Sequence, residues 1–167
     1  AQFVAGLAEY TLNKHDYAID RFKKAVSEMN RRKADKNAIA LMQINLARIA
    51  FQKGRYKDSL EAYQNVPKDH PLWMQSLTEM GWAQLQSKDF PSAIGNMHSI
   101  HSPYFDGVYK PESYVVRSIG YLNICQYADA AKWISYLDHK YMPWVKALES
   151  FNKGASPLKA YDLVGRY

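Results

Sequence analysis

The feature that most constrains this chain is an internal repeat. Four segments align on a small residue, Ala18, Ser59, Ala93 and Ala130, with successive spacings of 41, 34 and 37 residues. A large apolar residue follows each anchor by four positions (Phe22, Tyr63, Met97, Ile134), and an apolar residue follows by seven (Ala25, Val66, Ile100, Leu137). Twelve positions before each anchor the residue is again small: Gly6, Ala47, Gly81 or Ser118. A period of a few tens of residues is the signature of an array of supersecondary units. The i, i+4, i+7 set is the apolar stripe of an amphipathic helix. The two small positions let a preceding helix A approach a following helix B closely, and His15, Tyr56, Phe90 and Tyr127, three before each anchor, plug the turn between them. Residues 40–51 and 74–85 are proline-free and periodic as helix A segments should be, and no alternating strand pattern competes, so the fold class is all-α.

Length and cysteine content fit that reading. A chain of 167 residues with 47% apolar content is one domain with core enough to dispense with disulfides or metals. The single cysteine, Cys125, cannot pair within the chain. No apolar run reaches the roughly 18 residues that span a bilayer. The opening Ala1-Gln2-Phe3-Val4 leads us to expect a fragment of a longer protein.

The second repeat carries Leu46-Ala47, Ala50, Gly54-Arg55-Tyr56, Ser59, Tyr63, Val66 and Pro71, and the third carries Met80-Gly81, Phe90, Ala93 and Met97. With these residues at these spacings the sequence resembles the tetratricopeptide repeat (TPR) family over residues 2–144. The resemblance implies a right-handed α-α superhelix of about four helical hairpins plus a partial fifth. Its repeats fall at about 1–32, 40–73, 74–107 and 111–143, with the partial unit at 144–167. Two departures stand out. The first spacing exceeds the family's by seven residues, about two helical turns, around Arg31 to Asn37, and predicts an extended hairpin projecting from the stack. A Pro- and Gly-containing stretch from Ser102 to Pro111 predicts a loop. Trp144, Ala147, Leu148 and Phe151 restart the helix A pattern beside Pro143, a turn is expected at 153–157, and Ala160 with Val164 would open a further helix B.

The resemblance also implies a site. Helix A lines the concave surface of such arrays, and the family's inward positions carried onto this chain give a mixture of apolar, aromatic and amide groups with one arginine. The partner-binding residues expected from it are Arg48, Phe51, Gln52, Gln75, Trp82, Gln86 and Asn123, contacting a protein or peptide. Arg48 and Trp82 occupy equivalent positions in adjacent repeats, so they should stand side by side, dispensable for closing the hairpins. The family's clamp for a C-terminal carboxylate finds only Asn45 at its positions, with Phe3, Leu7, Gln75 and Glu79 elsewhere, so a chaperone-tail partner is not expected.

Charge offers an alternative. The net charge is +6, and all of it lies in residues 1–60, which hold 12 Lys/Arg and 6 Asp/Glu. The basic 21–36 extension, with Arg21, Lys23, Lys24, Arg31, Arg32, Lys33 and Lys36, is the place where a nucleic acid or anionic membrane surface would be contacted, although a solvated helix face is the simpler expectation. His98 and His101 have metal-like i, i+3 spacing but no third ligand, and read instead as a helix end capped by a cationic histidine. Neither Gly-rich phosphate loops nor nucleophile motifs occur, so no catalytic residue, metal or cofactor is expected, and the chain is not read as an enzyme. The resemblance leans to a bacterial periplasmic or envelope setting over the cytoplasm.

Overall fold

The structure, a computed structural model, describes residues 2–154. These residues are helical, without strands: α1 (Gln2–Thr11), α2 (His15–Arg31), α3 (Lys36–Gln52), α4 (Tyr56–Gln64), α5 (Trp73–Gln86), α6 (Phe90–Ile100), α7 (Pro111–Asn123) and α8 (Tyr127–Gly154), with a short 3-10 turn at Pro103–Phe105 before α7. Within the sequence, α1 packs on α2, α3 on α4, α5 on α6 and α7 on α8, and each pair packs on the next.

One backbone device closes α1, α3, α5 and α7. Asn13, Gly54, Lys88 and Cys125, each five residues before its anchor, adopt left-handed φ values of 57°, 69°, 64° and 60°. The following amide then reaches back to the carbonyl five residues earlier: Lys14 to Glu9 at 2.8 Å, Arg55 to Ala50 at 2.9 Å, Asp89 to Gln84 at 2.8 Å and Gln126 to Tyr121 at 2.9 Å. This is the Schellman motif, which satisfies the last carbonyls of a helix and reverses the chain. Only Gly54 takes the conformation free of the Cβ penalty.

Packing follows the register. The anchors Ala18, Ser59, Ala93 and Ala130 are buried, as are Gly6, Ala47, Gly81 and Ser118. At Gly81 an added Cβ would lie 2.9 Å from both Met97 Cε and Val116 Cγ1, so α5 touches α6 and α7 at a point where only hydrogen fits. The seven extra residues of the first spacing lengthen both flanking helices: α2 runs 17 residues against nine for α4 and 11 for α6, and α3 runs 17 against 14 for α5 and 13 for α7. Lys33, with φ 51°, ends α2, and Asp35 caps α3 by accepting from the Ala38 amide at 2.9 Å. Beyond Val26 the end of α2 is largely exposed.

The expected break at residues 143–144 does not occur. The single helix α8 runs 28 residues through Pro143, so Trp144 continues the fourth unit's last helix and does not open a new one. The proline removes one hydrogen bond, to the carbonyl of His139, on an exposed stretch where water can replace it. Packing across the proline favours continuity: Tyr141 and Trp144, three residues apart, both meet Tyr109, with ring centroids 5.5 and 6.1 Å away. Lys153 and Gly154 still belong to α8, while the rest of the expected 153–157 turn, Ala160 and Val164 lie outside the described residues. No helix among the described residues is long and apolar enough to cross a membrane.

Candidate functional site

Side chains of α1, α3, α5 and α7 are joined by a polar link at each step. Tyr10 Oη donates to Gln52 Oε1 at 2.7 Å, connecting α1 to α3. The Arg48 guanidinium forks onto Glu79, Nε to Oε2 at 2.7 Å and Nη2 to Oε1 at 2.6 Å, connecting α3 to α5. Trp82 Nε1 donates to Glu112 Oε1 at 2.6 Å, connecting α5 to α7.

Glu79 is the most heavily used of these groups. Besides Arg48 it accepts from Tyr63 Oη at 2.8 Å and Gln75 Nε2 at 2.9 Å. Burial works to raise its pKa, but the hydrogen bonds from Arg48 and Tyr63, with the charge of Arg48, outweigh it and hold the carboxyl below its usual range. Burial and the Glu79 charge push the Tyr63 hydroxyl up, so it stays a donor at every ordinary pH. The hydrogen bond to Glu79 likewise raises Arg48.

Depressions lie between the linked helices. One of 190 Å³ is lined by Leu7, Tyr10, Asn45 and Gln52; the next, of 280 Å³, by Arg48, Phe51, Gln52, Tyr63, Glu79 and Trp82. A third, of 550 Å³, lies between α5 and α7 and is walled on one side by the loop before Pro111. The structure thus brings Arg48, Phe51, Gln52 and Trp82 around one depression and places Gln75 on the rim of the largest. Gln86 and Asn123 lie outside all three depressions, both exposed, with Asn123 Nδ2 donating to its own helix at Ile119 O, 2.8 Å away.

Arg48 and Trp82 do line one depression, and each also hydrogen-bonds to a helix of the next pair, while Trp82 packs against the core. Sequence reasoning missed Glu79 and Glu112 as their partners. Pairs 31 and 30 residues apart leave no local signal in the sequence.

The histidine reading changes. His101 caps α6 as expected, but it is neutral: burial, then the charges of Arg117 and Lys110, push its pKa down to about 3. Ser113 Oγ donates to Lys110 O at 2.6 Å, so it accepts from His101 Nε2 at 2.7 Å, leaving Nδ1 to accept from Arg117 Nη1 at 3.0 Å. Its ring stacks on Tyr114 at 4.0 Å, and Arg117 lies 3.7 Å over Trp133. His98 is exposed, and among the described residues no three His, Cys, Asp or Glu side chains converge as a metal site would require.

No protein-family model matches the chain, and no curated protein matches it. Among solved structures it is similar to the TPR2AB domain of yeast Sti1 in a complex with pHSP90. That similarity is at 16% identity over 86% of this chain and 79% of that one, with a TM-score of 0.34.

Proposed function

We propose that the chain is a protein-interaction module that binds a peptide or protein segment along the inward face of α1, α3, α5 and α7, without catalysis, and that its helix pairs stack into a right-handed superhelix. The observation that carries this reading is the character of that face. Leu7, Phe51 and Trp82 line its depressions beside the amides of Asn45 and Gln52, and Phe3, Leu41, Val115 and Leu122 on the same helices leave a third or more of their surface exposed. Exposed apolar groups with hydrogen-bonding groups near them are what a peptide-binding face needs. The ionic pair in the middle of the face is already internally satisfied, so recognition here rests on apolar area and amide hydrogen bonds and not on gripping a terminal carboxylate.

Selection of phage-displayed 12-residue peptides against the chain tests this. The selected peptides should lose at least about tenfold in affinity to Leu41→Lys and Leu122→Lys, both exposed, with melting temperature unchanged. Undiminished binding to both variants would refute the assignment.

A second reading, contact with a polyanion through the 21–36 extension, draws on Arg31, Arg32 and Lys33, exposed at the end of α2. The same extension spends part of its charge internally: Arg21 pairs with Glu9 at 3.3 Å and Lys23 with Asp58 at 2.9 Å. Binding to a 20-base-pair DNA that falls steeply with salt and vanishes in Arg31→Glu/Arg32→Glu would support it. The bacterial envelope setting is a further proposal, tested by fractionating cells that express the full-length protein.

A further inference from the structure

The 550 Å³ depression between α5 and α7 differs from its neighbours in charge. Its walls are largely apolar, from Leu72, Met74, Phe105, Val108 and Tyr109. Two charged residues line it. The Lys110 ammonium is turned away beneath the loop, where it donates to Ile100 O at 2.9 Å and to Phe105 O, and the residue is buried. Asp106 acts on that ammonium from the same loop. The other charged residue, Glu112, is exposed, and among the described residues no cation pairs with it; one oxygen accepts from Trp82 and the other is free.

Three residues earlier stands Tyr109. One side of its ring is stacked on Trp144 at an interplanar angle of 9°, with Tyr141 edge-on, so the ring is held in place. It is nevertheless 68% exposed, which leaves the opposite face to solvent. A fixed aromatic plane and an unpaired carboxylate that line the same largely apolar depression are complementary to a flat, weakly hydrated cation attached to apolar neighbours.

We propose that this depression receives an arginine of an apolar peptide segment, its guanidinium paired with Glu112 and laid against Tyr109. The inference rests on the concave-face reading above and names the chemistry of the partner. Arginine fits better than lysine because its planar fork matches a carboxylate and stacks on a ring, while an ammonium does neither. A peptide fits better than a free guanidinium compound because the apolar walls and the volume exceed what one cation fills.

The test uses the chain labelled with nitrogen-15 and the tripeptides Ac-Leu-X-Leu-NH2, with X as Arg, Lys, Gln or Glu, alongside N-acetylarginine amide. The arginine tripeptide should shift amides of residues 72–78 and 105–113 at millimolar concentration. It should bind at least about fivefold tighter than the Gln tripeptide, with Lys between them and Glu weakest. Glu112→Gln keeps an acceptor for Trp82 and should erase the Arg-over-Gln preference. Tyr109→Leu should erase the Arg-over-Lys preference alone, and the spectra report directly whether either variant is folded. Equal binding of all four tripeptides, preference for Glu, equal affinity for N-acetylarginine amide, or an absence of shifts in these residues would each overturn the proposal. None of those outcomes bears on the 12-residue peptides and the Leu41 and Leu122 variants, which judge the concave-face reading separately.

Discussion

The α5–α6 pair and the α7–α8 pair carry the same repeat register and hold together by different chemistry. In the first, Met97, four residues after its anchor, is fully buried, sealed by Gly81 in front of it and Val116 of the next pair. In the second, the equivalent Ile134 is 48% exposed, because no further helix pair covers it among the described residues. Tyr127, which should plug the last turn, is likewise exposed. Cohesion passes instead to an aromatic and cationic cluster in which His101 stacks on both Tyr114 and Trp133, Tyr136 stacks on Tyr114 and Arg117 caps Trp133. A repeat position therefore has no burial of its own. Its environment is conferred by the neighbour that packs over it, and where the neighbour is missing a different set of side chains takes over.

Substitutions at equivalent positions sharpen that contrast. Gly81→Leu should have the largest effect, losing about 3 kcal/mol or more and probing the tightest point of the stack. Met97→Ala should cost about 2–5 kcal/mol by leaving a cavity, and Ile134→Ala less than about 1 kcal/mol, although both sit four residues after an anchor. Urea denaturation of the three variants checks the ranking. Equal losses at Met97 and Ile134 would break the comparison.

The polar groups of the two regions should separate by pH. His101 is held neutral in the fold, so its contribution is complete above the unfolded value of about 6.5 and is lost as pH falls towards about 3, at no more than about 1.4 kcal/mol per pH unit. Glu79 is held ionised, so its contribution is present above about 4.3 and is lost only below that. His101→Gln should flatten stability between pH 6.5 and 4.5, as estimated from those reference values, and leave the acid limb to Glu79. Glu79→Gln should do the reverse. Arg48→Ala should cost about 1–2 kcal/mol near neutral pH, because Glu79 loses its bidentate partner while remaining largely buried.

The smallest expected effect is a gain. Lys88→Gly and Cys125→Gly, which place glycine where φ is already left-handed, should each stabilise by about 0.5–1 kcal/mol, as Gly54 does in its own turn. Melting curves suffice to detect it. A loss at both sites would mean that the side chains matter more than the backbone.

The sequence made legible whatever repeats. The anchors, the small positions, the helix pairing and the lengthened α2 and α3 follow from a register that four copies state together. What it hid is what happens once. Pro143 reads as a boundary by local propensity, yet Tyr141 and Trp144 on the same loop residue keep α8 continuous. Arg48 and Trp82 could be placed side by side from their equivalent positions, but their partners Glu79 and Glu112 could not, since a cross-helix pair 30 or 31 residues apart leaves no local pattern. The neutral state of His101 depends on its burial against Tyr114 and Trp133 and on Arg117 arriving from α7, which no spacing in α6 foretells.

The central claim is that the inward face of α1, α3, α5 and α7 is where a partner docks. Hydrogen exchange of the chain with and without its selected 12-residue peptides tests this most directly. Slowed exchange in α1, α3, α5 and α7 and in the loop before Pro111, with α2, α4, α6 and α8 unchanged, is the result the account predicts. Protection confined to α2 or α8 would contradict it.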